Sequence, residues 1–175
     1  LLALEIARLN RIFVDYAALY RSRKAAQAML RHTNNQSDGR ALLLYALSMS
    51  KSGPGDDFNR ALRARDQLSP QGLAWLYLAC KQSGKSYNTG ALLQDLQGAA
   101  ISKNRLTHWS GSRRRGWTHE SSEATAWAAL ALLSGDPNNP LIEQAANALM
   151  ARQKNGYWRS TKETAAVIFF LSAYL

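Results

Sequence analysis

Residues Lys154–Leu175 read KNGYWRSTKETAAVIFFLSAYL, and from Ala165 to Leu171 no polar side chain interrupts the run. A surface helix keeps one polar face, and this one keeps none. Seven apolar residues are far short of the roughly 20 that span a bilayer. A helix that is apolar all round in a water-soluble chain must be covered on every side. Working outward, three more segments have the same character: Ala41–Leu47, Leu73–Cys80 and Ala124–Leu133. Each is followed by a segment with a polar face. FNRALRARDQL (58–68) is rich in arginine and acid, with Arg60, Arg63, Arg65 and Asp66, NTGALLQDLQGAAI (88–101) is amphipathic, and NPLIEQAANALMARQ (139–153) carries Leu141, Ala145 and Leu149 in one four-step row beside Ile142, Ala146 and Met150.

The pattern is a series of helix pairs, one partner amphipathic and the other buried. SSEATAWAALALL aligns over STKETAAVIFFLS, which places Thr125 and Thr164 39 residues apart. A period in this range marks a helical array. A plain solenoid needs only amphipathic helices. Helices buried all round fit two concentric layers better, so the expected fold is all-α, an α/α toroid or part of one, with the four apolar segments as the inner layer. Residues 1–175 are expected to form a single all-α domain. No segment shows the period-two alternation of a half-buried strand, and residues 102–117 are expected to be a loop.

The remaining ends follow local rules. Leu2, Ile6, Leu9, Phe13, Tyr16 and Tyr20 step by three and four and predict one amphipathic opening helix. A second helix is expected over about Ser22–His32, after which the polar run HTNNQSDG breaks it. Asp38 is the expected cap of the next helix, and Ser69-Pro70 opens the one after, with proline at the first helical position. The chain opens on Leu1 in mid-pattern, so it is expected to be a piece of a longer polypeptide.

Composition bounds the function. With 46% hydrophobic and 19% charged residues over 175 positions the chain is globular. One cysteine, Cys80, excludes an internal disulfide and a cysteine-only metal cluster. The formal charge of +10 comes from 22 basic against 12 acidic residues, most of the arginines scattered along polar helix faces. Only Arg113, Arg114 and Arg115 form a block, in WSGSRRRGW, which lacks the aromatic interleaving of single-strand binders. They are therefore candidate protein-contact residues, and no nucleic acid is expected as a partner.

The stretch from Ser121 to Leu175 resembles the C-terminal part of the thioester domain of α2-macroglobulins, above all the bacterial branch. The matching places are Glu123, Thr125 and Ala126; Arg152; Gly156, Tyr157 and Trp158; then Ser160, Thr161, Thr164, Ala165 and Tyr174. GRALLLYALSMSKSG and LSPQGLAWLYLACKQSGK are similar to the two preceding buried helices of that family, so the resemblance covers roughly residues 38–175. It implies the C-terminal portion of a thioester-type toroid. Its role would be scaffold and contact surface in a protease inhibitor that works by trapping, in the periplasm or extracellular space. Partners would be proteases and other domains of the same chain, with no direct membrane insertion, no cofactor and no enzymatic activity. The family's reactive bond joins the Cys and Gln of a Cys-x-Glu-Gln motif. Three residues after Cys80 stands Ser83, so that bond cannot form here.

Two other classes fit the architecture. Terpene cyclases and prenyltransferase β-subunits share the toroid, and QKNGYW (153–158) matches the Gln-x-x-Gly-x-Trp spacing of cyclase repeats. Asp56-Asp57, however, reads as a helix start, and His32, His108 and His119 are scattered relative to Cys80, unlike a tetrahedral zinc set. Glu120 and Glu123 are the nearest approach to a paired acid and base, with His119-Glu120 one turn before a helix. A non-enzymatic protein-binding module remains the third reading. Ser160 or Thr161 is expected to cap the last helix, and Trp127 and Trp158 to be buried between layers. Trp109, in the arginine-flanked loop, is expected to bury little.

Overall fold

The computed structural model describes residues 1–34, 37–50, 55–111 and 122–175. Among them the chain is mostly helical, with one small hairpin. It divides into two compact units, Leu1–Gln67 with Trp75–Asn88, and Leu68–Ala74 with Thr89–Leu175.

The first unit holds α1 (Leu2–Leu9), α2 (Tyr16–His32), α3 (Asp38–Ser48), α4 (Gly55–Arg63) and most of α5 (Pro70–Gln82). The expected single opening helix is broken. Asn10 closes α1, Arg11 takes a positive φ of 59°, and the N–H groups of Arg11 and Ile12 turn back to the carbonyls of Arg8 and Ala7. That is the Schellman pattern of a helix end. Asp15 then starts α2, its carboxylate accepting from the N–H groups of Ala17 and Ala18. A local cap at each side of the break overrides the apolar stripe. Its members Leu9, Phe13, Tyr16 and Tyr20 all face solvent, Phe13 being 92% exposed.

Buried ions tie these helices together. The Glu5 carboxylate accepts from Arg8 Nε at 2.9 Å on its own helix and from Arg23 Nε at 2.6 Å on α2. Burial acts to raise the Glu5 pKa, but the hydrogen bonds from Arg23 and Arg8 and their charges prevail and hold it below 4.5. Buried Arg40 donates to the carbonyls of Leu30 and Thr33 at the end of α2, at 2.8 and 2.9 Å, and pairs with Asp57 on α4. The α3 cap is Ser37, which accepts from the Arg40 N–H, and Asp38 lies in the first turn beyond it.

The second unit holds the first turn of α5, then α6 (Gly90–Gly98), β1 (Ile101–Lys103), β2 (Leu106–His108), α7 (Ser122–Gly135), α8 (Pro140–Ala151) and α9 (Thr161–Tyr174). The hairpin corrects the expectation of a strandless loop. Lys103 pairs with Leu106 across Asn104 and Arg105, whose φ values of 52° and 60° make the mirror-image turn that matches strand twist. Three-residue strands are too short for period-two alternation to register. Thr107 secures the hairpin, its hydroxyl donating to Gln144 Oε1 on α8 at 2.7 Å.

The four apolar segments differ in how far they are covered. Leu73–Cys80 is buried at every position, and so is Ala124–Leu132, with Leu133 half-buried. In Ala41–Leu47 only Leu42 and Leu43 are half-buried. The closing segment departs from the expectation: Ala166, Val167 and Phe170 are buried, Phe169 and Leu171 half-buried, Ala165 exposed and Ile168 54% exposed. Within its unit α9 buries one face, against α7.

Candidate functional site

Two tryptophans perform the same task in the second unit. The indole N–H of Trp158 donates to the Leu149 carbonyl near the end of α8 at 2.8 Å, and its backbone N–H donates to Thr164 Oγ1 in the first turns of α9 at 3.1 Å. Trp109 repeats both bonds. Its indole N–H reaches the Leu96 carbonyl of α6 at 2.7 Å, and its backbone N–H reaches Thr125 Oγ1 on α7 at 3.1 Å. Each tryptophan thus latches the end of an amphipathic helix to the start of the apolar helix that follows. The Leu96 carbonyl, in the last turn of α6, thereby gains a donor that the backbone does not supply, whereas the Leu149 carbonyl takes the indole N–H beside the backbone N–H of Arg152 at 3.1 Å.

Trp109 is 0% exposed, so the expectation that it buries little is wrong. The repeat was half visible in the alignment of Thr125 with Thr164. What hid the other half is spacing: Trp158 precedes its threonine by 6 residues and Trp109 by 16. Trp127 and Trp158 are buried as expected, and the Trp127 ring lies 5.7 Å from that of Phe169. Gly156, at φ 87°, and Asn155, at φ 53°, turn the chain back so that Lys154 and Tyr157 exchange backbone hydrogen bonds just before the latch. Ser160 is the cap of α9, accepting from the Glu163 N–H at 3.2 Å.

A second feature joins first turns. Glu123, at the start of α7, accepts from Gln71 Nε2 in the first turn of α5 at 2.8 Å and pairs through its other oxygen with Lys162 Nζ of α9 at 3.0 Å. Glu123 and Lys162 stand at equivalent places in the two aligned segments, two residues before Thr125 and Thr164. Their pairing puts the N-termini of α7 and α9 at the same end of the unit. With both oxygens engaged, Glu123 is a clamp between helices.

The other singled-out residues fall apart in space or outside the described residues. Arg113, Arg114, Arg115, His119 and Glu120 all lie outside them. Asp57 is held by Arg40, and Asp56 sits beside it in the first turn of α4. Among the described residues no three His, Cys, Asp or Glu side chains gather where one metal ion could be held, and no helix is long and apolar enough to cross a membrane. Cys80 is buried in α5, and burial pushes its thiol up to about 12. A thiol so far from ionisation is a poor nucleophile.

Among the described residues the second unit includes two surface cavities. One, of about 410 Å³, is lined by Leu106 and Ala148 with Lys103, His108 and Arg152 around them. The other, of about 480 Å³, is lined by Arg152, Lys154, Tyr157, Arg159 and Glu163 among others. No family model, curated protein or solved structure matches the chain.

Proposed function

We propose that this chain is scaffold in an α2-macroglobulin-like protease inhibitor, the C-terminal part of a thioester domain built as an α/α toroid. The observation that carries the reading is the repeated tryptophan latch. Its second copy is built from Trp158 and Thr164, two of the residues on which the resemblance rests, and its first copy turns the resemblance into a structural repeat. The two latched helices, α7 and α9, start at the same end of their unit and each follows an amphipathic helix, which supports a reading of one layer beside another. The clamp of Glu123 by Gln71 and Lys162 supports the same arrangement.

In this role the segment performs no chemistry. No thioester forms within these residues, because Cys80 is buried and followed at the third place by Ser83. When a protease cuts the inhibitor's bait segment, the toroid moves as a body and presents its surface, with Arg113, Arg114 and Arg115 as contact residues. The site of action is the periplasm or the extracellular space.

Protease challenge of the full gene product that carries this segment tests the reading. A trapped protease keeps its activity on small peptide substrates and loses it on large proteins, and that size-dependent loss is the expected result. Equal retention on both substrates overturns the assignment. An SDS-stable adduct that methylamine pretreatment abolishes places a working thioester elsewhere in the polypeptide; trapping without an adduct assigns the protein to a thioester-free branch.

A further inference from the structure

Five large apolar side chains of the first unit face solvent within residues 9–20: Leu9, Ile12, Phe13, Tyr16 and Tyr20. They belong to the corner where α1 ends and α2 begins. Beside the almost fully exposed Phe13, Ile12 is 62% and Tyr16 76% exposed. One apolar side chain in water needs no explanation, but a cluster of them marks an interaction site. Tyr16 and Tyr20, four apart on α2, share one face of the helix. Lys24 continues their row, its Nζ 5.8 Å from the centre of the Tyr20 ring, and Arg31 follows two turns later.

The corner is pinned on both sides. The Arg11 and Ile12 N–H groups are bonded back to α1, and the Asp15 carboxylate holds the start of α2. Presenting Ile12 and Phe13 therefore needs little further ordering of the chain. The surroundings are cationic. Residues 1–34 hold six Lys and Arg against two acids, Glu5 and Asp15. Glu5 is buried between Arg8 and Arg23, and Asp15 is engaged as the cap of α2. Among the described residues Arg11 and Arg31 have no carboxylate partner.

An aromatic and aliphatic tip ringed by free cations matches an anionic bilayer surface. Apolar tips enter the boundary between headgroups and acyl chains, and tyrosine rings rest at headgroup level. Lysine and arginine reach lipid anions through flexible aliphatic stems. A second copy of the chain matches less well, because it brings the same cations and another +10 of formal charge to the contact.

We propose that the corner between α1 and α2 docks the chain on an anionic lipid bilayer, Ile12 and Phe13 entering the acyl boundary while Arg11, Lys24 and Arg31 contact headgroups. The contact is superficial, since among the described residues no helix is long and apolar enough to cross a membrane. It is independent of the trapping reading and departs from the resemblance, which implies no membrane insertion.

Co-sedimentation of the 175-residue chain with vesicles of equal phosphatidylserine and phosphatidylcholine tests it. Binding is expected at low salt, at least about ten-fold weaker on pure phosphatidylcholine, where the surface charge is gone. Ile12→Ser with Phe13→Ser, and separately Arg11→Glu with Lys24→Glu, should each weaken it by about ten-fold or more. All four side chains are exposed, so an unchanged circular dichroism spectrum is expected. Lys154→Glu with Arg159→Glu removes as much charge from the other unit and should change affinity by less than about two-fold at physiological salt, where distant charges are screened. A polarity-sensitive dye on Phe13→Cys, the native Cys80 being buried, should shift to the blue on the mixed vesicles. No binding to the mixed vesicles overturns the proposal, as does equal affinity for the neutral ones. Retained affinity in the Ile12 and Phe13 variant, equal losses in the two charge reversals, or an unshifted dye does so too. Dimerisation that depends on Phe13, without vesicle binding, assigns the corner to a second copy and also overturns it.

Discussion

At the scale of single residues, Trp109 and Trp158 are equivalent despite their different surroundings in the sequence. Both rings are buried, and each supplies one donor to a helix-end carbonyl and one to a threonine hydroxyl. Truncating a buried aromatic of this size costs about 3–5 kcal/mol. Trp109→Ala and Trp158→Ala are therefore expected to lower the urea midpoint by similar, large amounts, whereas Tyr157→Ala, whose ring is exposed, should change it little. Small losses at both tryptophans would remove the latch from the account. Trp109→Phe isolates the hydrogen bond: it keeps a ring and strands the Leu96 carbonyl, which costs about 1–3 kcal/mol. Cys80 gives a pH prediction. Its pKa is raised by burial from 9.0 to about 12, so its contribution to stability is complete below pH 9 and is lost as pH rises toward 12. Cys80→Ala should flatten the alkaline end of a stability profile taken between those values, leaving the part due to Tyr45, whose hydroxyl is also pushed up to about 12, and to Tyr77 and Tyr87, which burial raises as well. Rapid labelling of Cys80 in the folded chain by a thiol reagent would contradict its burial.

At the scale of elements, α9 shows how composition can overstate burial. Its apolar run has no polar face, yet within its unit only Ala166, Val167 and Phe170 are buried. The two sides of the helix should then respond oppositely. Phe170→Ala is expected to cost about 3–5 kcal/mol through the cavity it leaves, and Ile168→Lys to fall within about 0.5 kcal/mol of the parent, as exposed substitutions do. Thermal melts of the two variants decide the matter. A large loss for Ile168→Lys would mean that this face is covered after all. The hairpin offers a stabilising change. Arg105 holds φ at 60°, a left-handed conformation that costs an L-residue with a Cβ about 1–2 kcal/mol and glycine almost nothing. Arg105→Gly should raise the melting temperature slightly, and a fall would show that the Arg105 side chain contributes more than its backbone strain costs.

At the scale of the molecule, charge is the dominant global property. A formal +10 makes self-repulsion a cost to the compact state. Added salt at pH 7 is expected to raise the melting temperature, because screening relieves repulsion between exposed charges more than it weakens buried pairs such as Glu5 with Arg23. Acid acts in the other direction. The Glu5 pKa lies below its ordinary 4.5, so its stabilising contribution is present above that value and is lost as pH falls through the lowered native one. Protonation there also leaves Arg8 and Arg23 facing each other without their shared anion. Glu5→Gln should lower stability at pH 7 and make the acid limb of the profile shallower. A profile identical to the parent's would mean that the pair contributes nothing net.

Helix content was legible in the chain from periodicity and caps alone, since both act within a few residues. Pro70 at a helix start, the Ser160 cap, and the burial of Leu73–Cys80 and of Trp158 follow from residue type and near neighbours. Arg11 in a left-handed turn and Asp15 as a cap could have been read the same way, but the longer apolar stripe concealed the break. Tertiary structure alone decided the rest. Trp109 became a latch because α6 and α7 bring a free carbonyl and a hydroxyl to it across gaps of 13 and 16 residues. Glu123 became a clamp because Gln71, 52 residues away, and Lys162 converge on it. Lys103 and Arg152 came to line one cavity, and Arg152, Lys154 and Arg159 another, only when a hairpin, a helix end and a tight turn met. Local propensity is a property of neighbours along the chain, whereas a hydrogen-bond partner or a cavity wall is a property of neighbours in space.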